Sequence, residues 1–225
     1  MKTVIAFDLD DTLYDELTYV NSGFKAVAAY LEQTRNFDAG RSFAILWKTL
    51  EREGRGKVFD HLLREYGIYS SAGIKKCLSV YRSHRPQINL SEEGTNCLLR
   101  MESQHPLYIV TDGNKQVQHN KLEALGLYTK VKHCFVTHRY GVRHAKPSPY
   151  CFEKITQMED CRPEQIIYVG DNPTKDFRGI RPLGFKTVRL RQGQYRDMKV
   201  SQEEDADQSI LSLDELDESF ISRLF

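Results

Sequence analysis

Short apolar runs that each stop at a polar or glycine-containing turn constrain this 225-residue chain more than any other feature. Thr3–Phe7 runs into Asp8. Leu107–Val110 runs into Thr111-Asp112-Gly113, and Ile166–Val169 into Gly170-Asp171. Cys134–Val136 and Lys186–Leu190 are two more such runs, and Ser209–Leu213 reads as a sixth. Helical patterns separate most of them. Asn114 is placed to cap a helix carrying Val117, Leu122 and Leu125, with Gly126 as its stop. Pro147 or Pro149 sits near the start of the next, and Thr174 is placed to cap another that ends near Gly184. Buried strands alternating with helices specify a parallel sheet covered on both faces, an α/β fold.

Between Glu16 and Gln87 the texture changes, and only helical periodicity is found. Val20, Phe24, Val27, Ala28 and Leu31 share one face. Phe43, Leu46, Trp47 and Leu50 follow, then Phe59, Leu62, Leu63 and Tyr66, then Ile74, Cys77, Leu78 and Tyr81. This predicts an all-helical domain at 16–87 inserted after the first strand of a core made of 1–15 and 88–225. Ser209–Phe225 reads as a strand and helix that close the core.

Charge and hydropathy remove several classes. Thirty-two basic residues against 31 acidic give +1, with no electrostatic footprint for nucleic acid or an anionic membrane. The apolar start of MKTVIAFDLDD stops at Asp8, too short for a signal-peptide core. No run approaches the ~20 apolar residues of a membrane-crossing helix. Five cysteines without a CxxC read as free thiols in a reducing compartment, which predicts a cytoplasmic protein. His133, Cys134 and His138 match no common zinc spacing and read as unpaired residues.

Ligands of open parallel sheets bind beyond the carboxyl ends of the strands. The first strand delivers Asp8 and Asp10 there, with Thr12. The second delivers Thr111, Asp112 and Gly113. The loop after the third leads to Lys146, and the fourth delivers Asp171 and Asp176. Several carboxylates at one rim repel one another unless a cation joins them, and oxygen ligands of this kind suit Mg²⁺ shared with a phosphate. A lysine and a hydroxyl beside backbone N–H groups suit phosphate oxygens, and an aspartate can act as nucleophile. Together they spell phosphoryl transfer. No GxxxxGK[ST] or GxGxxG occurs, so kinase and dinucleotide readings lack support.

FDLDDTLYDE at 7–16 resembles the DxDx[TV] motif of the haloacid-dehalogenase-like (HAD) hydrolase superfamily. TDGN at 111–114, KPSPYCFE at 146–153 and GDNPTKD at 170–176 resemble its other three motifs, in the family's order. One DxD is weak evidence; four ordered motifs at strand ends or helix starts are strong. The resemblance spans Lys2 to Leu190, and the helical block matches the cap of the commonest subfamily. TDGNKQVQHNKLEALGL further resembles the branch of nucleotidases and N-acylneuraminate-9-phosphatases.

The resemblance implies a Rossmann-like core with an inserted helical cap that closes over the site. It implies Asp8 as nucleophile and metal ligand, and Asp10 as general acid and base with its carbonyl on the metal. It implies Thr111 and the N–H groups of Asp112 and Gly113 as the phosphoryl cradle. Lys146 would neutralise Asp8 and the phosphate, and Asp171 would bind Mg²⁺. Asp176 would support the metal site, and Thr12 the turn after the first strand. The dehalogenases of the family lack an acid at the position of Asp10. The expectation is therefore a Mg²⁺-dependent phosphatase of a small soluble phosphomonoester, a sugar phosphate or a nucleotide, with no nucleic-acid or membrane partner and an open oligomeric state. A phosphomutase on the same core is the nearest alternative, followed by a phospho-acceptor signalling domain and a non-catalytic scaffold. Asp11, Asp15 and the Asp112 side chain read as turn residues. Tyr14, Arg82 and Arg85 read as solvated, Trp47 as core, and Glu203, Glu204, Asp205 and Asp207 as a solvated acidic loop.

Overall fold

The computed structural model describes residues 2–225. The chain divides into two compact units, Met1–Glu16 with Asn89–Phe225, and Leu17–Ile88.

The first unit is built on a six-stranded, wholly parallel sheet: β1 Val4–Phe7, β2 Leu107–Thr111, β3 His133–Val136, β4 Ile166–Gly170, β5 Lys186–Leu190 and β6 Gln208–Ile210. Their spatial order is β3-β2-β1-β4-β5-β6. The inner strands are buried along their length, which is why they read as unbroken apolar runs rather than alternating ones. Val4, Ala6, Tyr108, Val110, Phe135, Ile166 and Tyr168 pack with Phe152, Ile155, Phe177 and Phe185 into one cluster. The order puts β1 between β2 and β4, and Asp8 N–H extends the ladder by donating to the Val169 carbonyl at 2.8 Å. Asp8, Thr111 and Asp171 therefore leave three adjacent strands at the same edge.

The helices of this unit are α5 Glu92–Glu102, α6 Lys115–Ala124, α7 Tyr150–Glu159 and the short α8 Glu218–Ser222. Asn114 caps α6 by accepting from the N–H groups of Gln116 and Val117, and Gly126 follows in the left-handed region at φ 65°. The helix expected between Thr174 and Gly184 does not form. Those residues make successive turns and a 3₁₀ segment at Arg181–Leu183. The cap there is Asn172, whose Oδ1 accepts from both Thr174 N–H and Thr174 Oγ1. Gly179 passes so close to Pro147 that a Cβ would lie 1.7 Å from its carbonyl oxygen, a clearance a regular helix with side chains would not give.

The acidic loop is also not merely solvated. Arg189 of β5 is fully buried; it pairs with Asp205 at 3.0 Å and donates to the Tyr195 and Met198 carbonyls. Asp207 pairs with Arg181 and accepts from Thr187, so both carboxylates fasten residues 191–207 to the sheet edge.

The second unit consists of helices: most of α1 Glu16–Arg35, then α2 Ala39–Glu53, α3 Val58–Glu65 and α4 Ser71–Ser83. Val20, Phe24, Val27, Leu31, Leu46, Phe59, Leu62, Leu63 and Cys77 form its core, with Trp47 partly buried against it. Asp38 and Ser70 cap α2 and α4. Among the described residues, no helix is long and apolar enough to cross a membrane, and all five cysteines are unpaired.

Candidate active site

Asp8, at the end of β1, is buried, and its Oδ1 lies 2.8 Å from Lys146 Nζ. The same ammonium lies 2.7 Å from Asp176 Oδ1 and donates to Tyr168 OH at 2.9 Å, so three oxygens surround one cation whose side chain is 1% exposed. Asp171 completes the group: one oxygen each from Asp8, Asp171 and Asp176 lie within 4.8 Å of one another. Three buried carboxylates thus lie together, and the one ammonium touches two of them, Asp8 and Asp176. Burial, opposed by Lys146 and reinforced by Asp176, pushes the Asp8 carboxyl up to about 6. Burial together with Asp8 and Asp176 pushes Asp171 up to about 9. Lys146 is raised as well, in its case by its partners. Burial alone would lower it, but Asp176 and Asp8 hold it well above its ordinary value. The cluster lacks positive charge.

The oxygens are not equally committed. Asp176 Oδ1 takes Lys146 and Tyr168, and its Oδ2 takes the Asn172 N–H at 2.9 Å. Gly170 permits this, since a Cβ there would lie 2.6 Å from Asp176 Oδ2. Among the described residues, Asp8 Oδ2 and both oxygens of Asp171 accept no hydrogen bond, so they face the remaining space of the cluster.

Asp10, two residues beyond Asp8, has partners of its own. Tyr14 OH donates to Oδ1 at 2.5 Å and Lys121 Nζ at 2.6 Å, while Gln118 Nε2 donates to Oδ2 at 2.9 Å. Burial pushes the Asp10 carboxyl up, but Lys121, Tyr14 and Gln118 outweigh it and hold it below its ordinary value. The turn after Asp10 is tight: Asp11 takes a left-handed φ of 52°, and its side chain accepts from Glu16 N–H. Gln192 Nε2 reaches across from beyond β5 to the Asp11 carbonyl at 2.8 Å. Thr12 is buried in this turn through its backbone, and its hydroxyl has no partner among the described residues.

Thr111, Asp112 and Gly113 follow β2. Thr111 Oγ1 accepts from Gln118 Nε2 at 2.7 Å. The Asp112 carboxylate, expected to be idle, accepts from Thr137 Oγ1 at 2.6 Å and from the Lys146 N–H at 3.0 Å, and lies 3.8 Å from Lys175 Nζ. It therefore ties the loop after β2 to the loop that carries Lys146. Gly113, at φ 138°, holds a backbone conformation that suits glycine.

Every residue expected at the site belongs to this one sheet edge, but two carboxylate environments separate there: Asp8, Asp171 and Asp176 around Lys146, and Asp10 among Tyr14, Gln118 and Lys121. Four participants were not read from the sequence: Tyr14, Tyr168, Gln118 and Lys121. Tyr14 is wholly buried rather than solvated. The signal for the last two was present. Positions 118, 121, 122 and 125 fall on one helix face, and two polar residues on the face that holds Leu122 and Leu125 are out of place unless they serve a buried acceptor. His133 and Cys134 join no metal-ligand cluster among the described residues.

A family model for haloacid dehalogenase-like hydrolases matches residues 2–184. The glyceraldehyde 3-phosphate phosphatase of Methanocaldococcus jannaschii is 30% identical over 218 residues, covering 94% of each chain. Its counterpart in Pyrococcus furiosus is 29% identical, covering 95% of this chain and 90% of its own. The magnesium-bound HAD-hydrolase YfnB of Bacillus subtilis superposes with a TM-score of 0.64 at 23% identity, over 96% of both chains, which establishes the common fold.

Proposed function

This chain belongs to the haloacid dehalogenase-like hydrolase family, and on that premise we propose that it is a magnesium-dependent phosphatase acting on a small phosphorylated sugar through an aspartyl-phosphate on Asp8. The observation that carries the reading is the buried group of Asp8, Asp171 and Asp176, with one ammonium on Asp8 and Asp176 and free carboxylate oxygens on Asp8 and Asp171. That donor set fits a hard divalent cation: all-oxygen, surplus in negative charge, and with two carboxyl groups displaced upward by burial and by neighbouring carboxylates. Asp8 and Asp171 would hold Mg²⁺, joined by the Asp10 carbonyl. Asp176 has its oxygens committed to Lys146, Tyr168 and Asn172, and orients the lysine beside them. When bound, the ion would supply positive charge to the phosphoryl oxygens.

The remaining steps belong to the chain. Thr111 Oγ1 and the N–H groups of Asp112 and Gly113 cradle the phosphoryl oxygens, and Lys146 neutralises charge shared between them and Asp8. Asp8 Oδ2 attacks phosphorus in line with the leaving oxygen. Asp10 gives that oxygen a proton, then takes one from the water that attacks phosphorus and frees Asp8. The archaeal relatives' named substrate, a triose phosphate, supports a short phosphorylated carbohydrate over a nucleotide. The free cysteines agree with a cytoplasmic setting.

Phosphate release from triose, tetrose and pentose phosphates and from nucleoside monophosphates, with Mg²⁺ or with EDTA, tests this beside Asp8→Asn. Turnover that requires Mg²⁺ and disappears in the variant is expected. Full activity in EDTA, or in Asp8→Asn, would contradict it.

A further inference from the structure

Asp10 is held from α6 by two residues one turn apart. Lys121 has a side chain 2% exposed and places its ammonium between Asp10 Oδ1 at 2.6 Å and Glu16 Oε1 at 3.3 Å. Gln118 is equally buried; its single amide nitrogen serves Asp10 Oδ2 at 2.9 Å and Thr111 Oγ1 at 2.7 Å. An amide nitrogen carries two hydrogens, so both contacts are satisfied at once. Gly113 makes room for this, since a Cβ there would press on the Gln118 side chain at 3.2 Å.

The contacts divide the two oxygens of Asp10. Among the described residues, Oδ1 receives both Tyr14 and Lys121, and Oδ2 receives only Gln118. An oxygen already taking a hydroxyl and an ammonium is poorly placed to carry a proton as well. The mobile proton therefore belongs on Oδ2. Because Gln118 donates to Thr111 Oγ1, that hydroxyl's own hydrogen is left to point away from Gln118, toward a phosphoryl oxygen.

We propose that Lys121 and Gln118 are positioning residues for the proton transfer: Lys121 pins Asp10 Oδ1 so that Oδ2 alone faces the leaving oxygen, and Gln118 sets the spacing between Oδ2 and the phosphate-binding hydroxyl of Thr111. This rests on the phosphatase reading of Asp8 and Asp10. In the first step the proton leaves Oδ2 for the departing alkoxide as the phosphorus–oxygen bond breaks. In the second, Oδ2 regains a proton from the attacking water, so the cycle balances.

The test compares an alkyl phosphate, glycerol 3-phosphate, with p-nitrophenyl phosphate, whose leaving group needs little protonation. In Lys121→Met, kcat/KM, which reads the leaving-group step, should fall on the alkyl ester about tenfold or more beyond any fall on the aryl ester. Lys121→Arg, which keeps a donor cation, should recover most of it. Gln118→Leu carries the same comparison if Lys121→Met does not fold, and should add a rise in KM through Thr111. Equal losses on both esters would overturn the proposal and leave the phosphatase reading standing. A wild-type enzyme that releases phosphate from no ester with Mg²⁺ would overturn both.

Discussion

Replacing Lys146 by Met removes the only cation in contact with Asp8 and Asp176 among the described residues. The side chain is 1% exposed, and its ammonium lies 2.8 Å from one carboxylate and 2.7 Å from the other. Met matches the stem and leaves little void, so the cost is electrostatic. Breaking a buried pair by deleting one partner costs about 3–5 kcal/mol. Two carboxylates are stranded here, beside a third within 4.8 Å, which argues for the upper end. Protonation limits the damage: Asp8 already sits at about 6 and would move higher once Lys146 is gone. A carboxyl raised in the folded state destabilises above its unfolded value, and the penalty disappears as pH falls through the folded value. The deficit should therefore be about 4 kcal/mol at pH 8 in EDTA, and clearly smaller at pH 5.5. Urea unfolding at the two pH values measures it, together with Mg²⁺ titrations of both proteins. Because the variant gathers more uncompensated negative charge, Mg²⁺ should raise its midpoint more than the wild type's. Phosphatase turnover should fall by about 10²-fold or more, the scale of losing one stabiliser of transition-state charge. A variant within about 0.5 kcal/mol of wild type in EDTA, at both pH values, would refute the account of this cluster.

Two further substitutions probe the framework. Glu159, with a side chain 1% exposed, meets Lys132 at 2.6 Å and Lys2 at 2.9 Å and accepts from Tyr108 OH. Burial would raise its carboxyl, but these donors bring it down to about 2 from an ordinary 4.5. That difference is worth about 3 kcal/mol, or about 2 after allowing for screening of the half-exposed lysines. Glu159→Gln should lose that amount at pH 7 with activity intact, and the deficit should fade as pH drops from about 4.5 toward about 2; a deficit constant down to pH 3 in urea titrations would count against it. Gly179→Ala would place a Cβ 1.7 Å from the Pro147 carbonyl oxygen, so the strand-linking segment or the Lys146 loop must shift by more than an ångström. We expect about 1–3 kcal/mol of destabilisation and a kcat loss of about tenfold or more from displaced Lys146, read from thermal unfolding and steady-state kinetics.

What the sequence reveals and what it hides divide along the range of the interactions. The five buried strands are legible because each is a local apolar run, and Asp8, Thr111 and Asp171 are legible because they stop such runs at the edge where a parallel sheet binds ligands. Tyr14 is hidden because one aromatic after a turn reads the same whether it meets solvent or Asp10. The Asp112 carboxylate is hidden because its partners lie at Thr137 and at Lys146, and nothing local names them. Asp205 and Asp207 read as a solvated acidic run because Arg189 and Arg181 reach them only across the sheet edge. The helix expected after Thr174 fails for a similar reason. The propensities allow it, but the contact of Gly179 with Pro147 does not. α5 is hidden differently: its buried Cys97, Leu98 and Met101 are interleaved with Glu92, Glu93, Arg100 and Glu102, which mask the apolar face.

In the proposed reaction Asp8 carries the phosphoryl group. Mass spectrometry of acid-quenched Asp10→Asn, taken after brief exposure to Mg²⁺ and acetyl phosphate, tests it most directly, since the substitution slows release of the group once it has been transferred. A single phosphoryl adduct is expected on the peptide containing Asp8, absent when Asp8→Asn is added. An adduct on another residue, or phosphate released through repeated turnovers with none on Asp8, would contradict it.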